Sequence, residues 1–413
     1  MSHPEGGAFA VGREAREWDR EPARSASRRQ RLSARGPYEA ALPARIAAVR
    51  VEIGAGLQAE AEDAIREITR FDAEVTAIAW RRGEQDGEQP ATQLAPLASV
   101  LLRTESASSS EIEGITAGVK ALALAAIEGR AGPNAQLVTA NVTAMQRALA
   151  LADDISTDSI LAAHEALLHG HAYAAPGQLR TEQVWIGGNA LSPHTASFVP
   201  PHHSRVRAGM DDLVAFVQRA DLPVLAQVAV AHAQFETIHP FNDGNGRTGR
   251  ALVHAMLRHA DVTRRLTVPV SAGLLTDTAA YFQALTAYRH GDIEPIVGQF
   301  SNASFRAVDN GRRLVEELES VHQSWTERLP SRRGSAARRL LPVLLNQPAV
   351  TVAYVQTATR GALSAAQRAV EQLEAAGILT RAGGGQRNRV WLATEVLAAL
   401  DAFAERVGRR GGP

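Results

Sequence analysis

The stretch His239-Pro240-Phe241-Asn242-Asp243-Gly244-Asn245-Gly246-Arg247-Thr248-Gly249-Arg250 places a base, a carboxylate, a glycine-rich turn and two arginines in one short segment. Apolar residues recur at helical spacing before it (Val224, Val228, Ala231, Phe235, Ile238), and a helical pattern resumes from Ala251 to Ala260, so the segment is predicted to be a loop between two helices. Pro240 ends the first helix, because a residue preceding proline is pushed out of the α region. Gly244 and Gly246 let the backbone turn tightly and approach a ligand, and Asn245 is predicted to cap the second helix. The N–H groups at a helix start, aided by the helix dipole, form an anion site. Arg247 and Arg250 are spaced to project from one face towards the same anion, which a polyphosphate fits best. Asp243 is then placed to hold a Mg²⁺ bridging two phosphates, since Mg²⁺ prefers one or two carboxylates plus phosphate oxygens and water. His239 is suited to act near neutral pH as general base on a hydroxyl attacking phosphorus.

Taken one at a time, these residues read as a helix-ending histidine, an Asp-Gly turn and a solvated arginine face. Together, the segment resembles the signature of the Fic family, His-x-Phe-x-(Asp/Glu)-Gly-Asn-Gly-Arg-x-x-Arg, at every defined position. The resemblance implies a mainly α fold: a Fic-type helical core with a short β-hairpin flap. It also implies a protein adenylyltransferase that moves AMP from ATP to a Ser, Thr or Tyr hydroxyl of a protein, which can be the enzyme itself, and releases pyrophosphate. His239 is then the base, Asp243 the Mg²⁺ carboxylate, and Gly244, Asn245 and Gly246 the phosphate cradle. Arg247 and Arg250 hold the terminal phosphates, and Phe241 anchors the loop in the core.

Upstream, Ser109-x-x-x-Glu113-Gly114 reads locally as a helix end, with Gly114 as its C′ residue. It also resembles the inhibitory motif (Ser/Thr)-x-x-x-Glu-(Gly/Asn) of Fic proteins, in the subclass whose N-terminal helix carries the glutamate. A Glu113 carboxylate reaching Arg250 would take the guanidinium that should hold the γ-phosphate, a charge-assisted pair contributing roughly 1.5 to 3 kcal/mol. The wild-type chain is therefore expected to be autoinhibited. Two alternatives accompany this reading: a de-AMPylase in which Glu113 positions a water, and a nucleotide-sensing, DNA-binding transcription regulator.

The 413 residues suffice for two or more domains. Acidic and basic residues balance at 44 each, so no global charge argues for nucleic acid or membrane binding. The absence of cysteine excludes disulfides, thiolate zinc sites and a cysteine nucleophile, and is compatible with a cytoplasmic location. Lys120 is the only lysine, and Gly114-Ile115-Thr116-Ala117-Gly118-Val119-Lys120 makes no Walker A loop. No apolar run reaches transmembrane length, and His202, His203, His232, His254 and His259 match no metal-ligand spacing.

Residues 1–36 read as a disordered or weakly ordered basic N-terminus around Arg28-Arg29-Gln30-Arg31, and residues 37–115 as a helical region carrying the inhibitory motif. Within that region two helices are expected between Ala41 and Ile78, a loop from Arg81 to Pro96, and a helix through Leu97 to Leu102. Residues 116–330 are assigned to the Fic core. In it, Trp185, Ile186, Gly187 and Gly188 with Phe198 and Val199 read as a β-hairpin, resembling the flap along which a target segment docks by strand addition. Residues 331–413 show a helix, a helix-turn-helix and two strands around Gly383-Gly384-Gly385-Gln386-Arg387-Asn388-Arg389. This resembles a winged-helix domain, with Gln367, Arg368, Arg387 and Arg389 placed for DNA and Glu371 and Glu374 weighing towards protein docking or a homodimer.

Overall fold

The computed structural model describes residues 7–18, 35–86, 90–128, 132–189, 191–332, 334–382 and 389–408. Arg28 to Arg31 and Gly383 to Asn388, to which the sequence assigns a basic arm and most of a wing loop, lie outside them. Alanine- and leucine-rich stretches give a mainly helical chain. In order the elements are β1 (Gly12–Trp18), β2 (Gly36–Leu42), α1 (Ala55–Asp86), α2 (Pro90–Ile112), α3 (Val119–Glu128), α4 (Pro133–Ala150) and α5 (Thr157–Leu167). They continue with α6 (Val206–Val217), α7 (Val224–Ile238), α8 (Asn245–His259), α9 (Val270–Leu275), α10 (Thr278–Arg289) and α11 (Glu294–Arg328). Last come α12 (Ala336–Asn346), β3 (Ala349–Val350), α13 (Val352–Thr359), α14 (Leu363–Ala375), β4 (Thr380–Ala382), β5 (Val390–Leu392) and α15 (Thr394–Arg406). The chain divides into two compact units.

The first unit comprises residues 1–63, 144–260 and 278–301. Its centre is α7, in which every residue from Leu225 to Ile238 is buried, as expected of a helix that is apolar nearly all round. The few polar side chains on α7 have partners. Gln227 donates to the carbonyls of Phe216, Val217 and Arg219, Gln234 donates to Ala44 and accepts from Tyr288, and His232 meets the Tyr281 hydroxyl at 2.7 Å. Helices α6, α8 and α10 pack on α7, and α5 packs on α8.

The sequence reading has no strand in the N-terminal segment, yet β1 and β2 pair antiparallel from Gly12↔Leu42 to Trp18↔Gly36. The more buried face of β1 consists of Gly12, Glu14, Arg16 and Trp18, so no apolar alternation marks it. Arg205 grips Glu14 at 2.8 and 2.6 Å and holds its carboxyl below the usual carboxylate range. Trp18 packs edge-on to Tyr38 and Trp185, with Val199 against the same cluster. The expected flap hairpin is reduced to a single antiparallel bridge between Ile186 and Phe198. Gly187 and Gly188 are left-handed, and Pro193–Thr195 is a 3₁₀ turn whose Thr195 carbonyl lies where a Cβ on Gly188 would sit, so the chain bulges out of register. Beyond the bridge, Ala41 of β2 donates its N–H to the Val199 carbonyl at 2.9 Å.

The second unit comprises residues 64–143, 261–277 and 302–413. Where two helices and a polar loop are expected, α1 runs unbroken to Asp86 and α2 begins at Pro90; Ile46 and Val49 precede α1 in irregular chain. Helix α3 is not anticipated by the sequence reading. Its Val119 and Ala123 pack on Ala349, Val390 and Leu392 of a sheet ordered β3-β5-β4. Helix α2 packs on α9 and α12. The buried Glu105 carboxylate accepts both the N–H and the hydroxyl of Ser271. Helix α2 closes in a Schellman turn: Gly114 (φ +77°) donates to Glu111 at 2.8 Å and Ile115 to Ser110 at 3.1 Å. Gly273 of α9 lies flat against α11, where an added Cβ would fall on the Ala303 carbonyl. Gly273→Ala is therefore expected to cost about 3 kcal/mol, read as a fall in the urea midpoint at unchanged slope.

Candidate active site

Helix α7 ends because His239 takes left-handed angles (φ 50°, ψ 64°) while its N–H still donates to the Phe235 carbonyl at 2.8 Å. For a residue with a Cβ this costs on the order of 1 kcal/mol, and Arg180 supplies what holds it. The Arg180 guanidinium is buried and donates to the carbonyls of His239 (2.8 Å), Pro201 (2.6 Å), Glu182 (2.9 Å) and Ile238 (3.4 Å), while its own N–H donates to Pro240 at 2.9 Å. Burial, with the positive charges of Arg180 and Arg289, pushes the His239 imidazole down to about 3, so the ring is neutral at neutral pH. Its Nδ1 lies 3.9 Å from Glu236, beyond hydrogen-bond range, and has no hydrogen bond among the described residues.

After Pro240 the loop is held from below. Phe241 is wholly buried, as the sequence predicts, and its ring stacks on His164 at 3.7 Å with an interplanar angle of 4°. His164 Nδ1 accepts from the Gly177 N–H at 3.0 Å, which leaves Nε2 as the protonated nitrogen donating to the Asp243 carbonyl at 3.1 Å. Burial keeps that ring neutral, down to about 4.

Asn245 is not the helix cap that its type suggests. Gly244 occupies the N-cap in a left-handed conformation (φ 76°), and Asn245 is the first helical residue. The Asn245 side chain reaches back instead, accepting from the Phe241 N–H and donating to the Phe241 carbonyl, both at 2.9 Å. Gly244 has no room for a Cβ, which would lie 2.9 Å from Leu167. Gly246 follows in the first turn of α8. Gly249 lets α8 lie close on α7, with Phe235, Glu236 and His232 around the position of a Cβ.

Asp243 points a half-exposed carboxylate outward, and its Oδ1 accepts from the Gly244 N–H at 2.7 Å and meets Arg247 at 3.5 Å. Arg247 and Arg250 are both buried. Trp185, Ile186, Phe198 and Val199 are half-buried, and the Arg289 guanidinium stands 3.7 Å over the Phe198 ring. Ser109 is buried on α2, with Glu113 and Gly114 at the end of that helix. Sequence reasoning missed Arg180, His164 and Arg289. His164 had a signal, as a polar residue inside the apolar stripe Ile160, Ala163, Leu167; Arg180 and Arg289 had none.

His164 (about 4), His232 (about 3) and His239 (about 3) share one consequence. The unfolded chain takes up these protons near pH 6.5 and the folded chain does not, so unfolding binds protons as the pH falls. Stability is then full above about pH 6.5 and lost towards pH 4 to 3, by up to about 1.4 kcal/mol per pH unit for each histidine. The expected outcome is a lower urea midpoint at pH 5.0 than at pH 7.5, with a His239 ring resonance that does not titrate between them. Equal midpoints would contradict the neutral-histidine assignment.

Residues 154–257 match the model of the Fic/DOC family. The chain is 30% identical over 161 residues to protein adenylyltransferase Fic of Nematostella vectensis, covering 38% of this chain and 34% of that one. It is 29% identical over 148 residues to protein adenylyltransferase fic-1 of Caenorhabditis elegans, covering 35% and 26% respectively. The chain thus spans about a third or less of the length of these curated relatives. A crystal structure of a Fic family protein from Desulfovibrio desulfuricans G20 superposes with a TM-score of 0.49 at 20% identity, over 83% of this chain and 97% of that one. The helix-loop-helix around His239 falls inside the matched span, so the similarity to the Fic/DOC family lies in residues 154–257, the part of the chain that carries the candidate site.

Proposed function

We propose that the chain is a protein adenylyltransferase. The observation that carries this reading is a neutral histidine fixed at the mouth of a loop that runs directly into a glycine-capped helix bearing two buried arginines. In the reaction a Ser, Thr or Tyr hydroxyl oxygen attacks the α-phosphorus of ATP and the bond to the β-phosphate breaks. Pyrophosphate leaves, and His239 accepts the hydroxyl proton. Gly244, Asn245 and Gly246 cradle the phosphates at the start of α8, and Arg247 and Arg250 hold the terminal ones, so catalysis is positioning and charge stabilisation. Among the described residues both side-chain contacts of Asp243 fall on Oδ1, which fits a half-exposed carboxylate that would hold a Mg²⁺. When bound, that ion neutralises charge on the phosphates. The relatives named protein adenylyltransferase support this reading at modest identity.

In this reading Glu113 competes with the γ-phosphate for Arg250 and holds the wild-type activity down. Its support is the motif Ser109-x-x-x-Glu113-Gly114 and the Schellman turn that fixes the end of α2. The order β3-β5-β4 behind α12, α13 and α14 supports a winged-helix reading of residues 331–413. Gln367, Arg368 and Arg389 are exposed there, which favours a second reading as a DNA-binding regulator that senses nucleotide. A gel-shift titration of the full chain against salt tests it, since phosphate contacts give a steep salt slope.

Incubation of wild type, Glu113→Gly and His239→Ala with α-labelled ATP and Mg²⁺, read by intact mass and autoradiography, tests the enzyme reading. Glu113→Gly is expected to gain AMP roughly ten- to a hundredfold faster than wild type, the worth of one charge-assisted pair. His239→Ala is expected to bind nucleotide without turning over, so retained turnover would refute the base assignment. Removal of AMP from a pre-labelled protein by wild type would instead favour the reverse reaction.

A further inference from the structure

We infer that Arg180 is a positioning residue that ties both limbs of the flap to the backbone of His239, so that the base is correctly aimed only when the flap is in place. The inference rests on the adenylyltransferase reading for its kinetic consequence, and on hydrogen bonds within one unit for its geometry. The flap leaves the body of the unit after Glu182 and returns at Pro201. Arg180 Nη1 donates to the Glu182 carbonyl and Nη2 to the Pro201 carbonyl. On its other side Nε donates to His239 and Nη2 also reaches Ile238. One planar fork therefore spans the two roots of the flap and the last turn of α7. Gln183 completes the seam by donating to the carbonyls of Pro200 and Val184, both at 2.9 Å.

Arginine is required here for a geometric reason. Its donors lie in one plane and diverge in fixed directions, whereas an ammonium is a compact point charge on a flexible stem. Lysine at this position would keep the charge and lose the fork. The positions of the acceptors are also informative. All four are carbonyls, and the two on α7 belong to Ile238 and His239, where the helix has ended and the carbonyls have no helical partner. An arginine donating to them stabilises the reversal and sets the direction in which the imidazole leaves the backbone. A target segment laid along the flap would pull on Glu182 and Pro201, and Arg180 passes that displacement to His239.

Among the described residues, the groups acting on the His239 ring are Arg180, Glu236 and Arg289, so replacing Arg180 changes both the geometry and the field at the base. Arg180→Lys and Arg180→Met separate these effects. In the Glu113→Gly background, both substitutions are expected to lower kcat at least about tenfold with the Kd for Mg-ATP within about twofold, because the phosphate-binding loop is untouched. Imidazole NMR, which needs no turnover, is expected to show the His239 pKa rising in Arg180→Met and staying depressed in Arg180→Lys. Wild-type kcat in Arg180→Lys would overturn the inference, as would a parallel collapse of nucleotide binding and Tm, which marks a merely structural arginine. If Arg180→Met does not fold, Arg180→Lys alone decides through kcat against Kd. If Glu113→Gly itself transfers no AMP, the enzyme reading has failed. The wiring of Arg180 to the base is then decided by the NMR titrations alone: a His239 pKa that does not move in Arg180→Met overturns it.

Discussion

A reversal of the chain at a residue that is not glycine organises the first unit. His239 sits in left-handed angles, and neither the Pro240 that follows nor the helix that precedes would hold it there alone. What holds it is a guanidinium surrounded by carbonyl oxygens and removed from water, a costly group to bury and therefore a specific one. Burial pulls the Arg180 guanidinium down to about 10, which still leaves it charged. With the reversal held, the loop can drop Phe241 into the core, double back through the Asn245 side chain and start α8 on a glycine.

The polar chemistry of the loop depends on the apolar quality of what lies below it. His164 is stacked on Phe241, pinned at both nitrogens and kept neutral, so it functions as a shaped spacer between α5 and the loop. The centre of α7 is so completely covered that His232 is also neutral and bonded to Tyr281. Neutral histidines around cationic arginines leave the positive charge of this region on Arg180, Arg247, Arg250 and Arg289, and the histidine at the loop mouth keeps one unprotonated ring nitrogen.

Much of the site was legible because its residues are consecutive. A helix-loop-helix that carries its chemistry in one segment needs no tertiary information to be recognised, and the end of α7 and the body of α8 follow from apolar period and from Pro240. The residues that stayed hidden are those whose role is made by distant backbone. Arg180 looks like any surface arginine between Leu179 and Thr181, and only the fold brings Pro201 and His239 to it. β1 was hidden for a related reason: its inward face carries Glu14 and Arg16, and the partner that makes this tolerable, Arg205, is far along the chain. Asn245 misled because cap propensity is a statement about local backbone, and Gly244 had already taken the position that propensity assigns to it.

The pairing of Ala41 with Val199 has a consequence for the traffic of partners past the flap. Phe198 is bonded on one side to Ile186, and its neighbour Val199 is bonded on the other side to β2, so this short run of chain is an interior strand in all but length. Interior strands accept no newcomer. Any extended peptide that joins this small sheet must do so at one of its two rims, along β1 or beside Ile186. Strands β1 and β2 thus act as a guard rail that decides from which side a visitor can come.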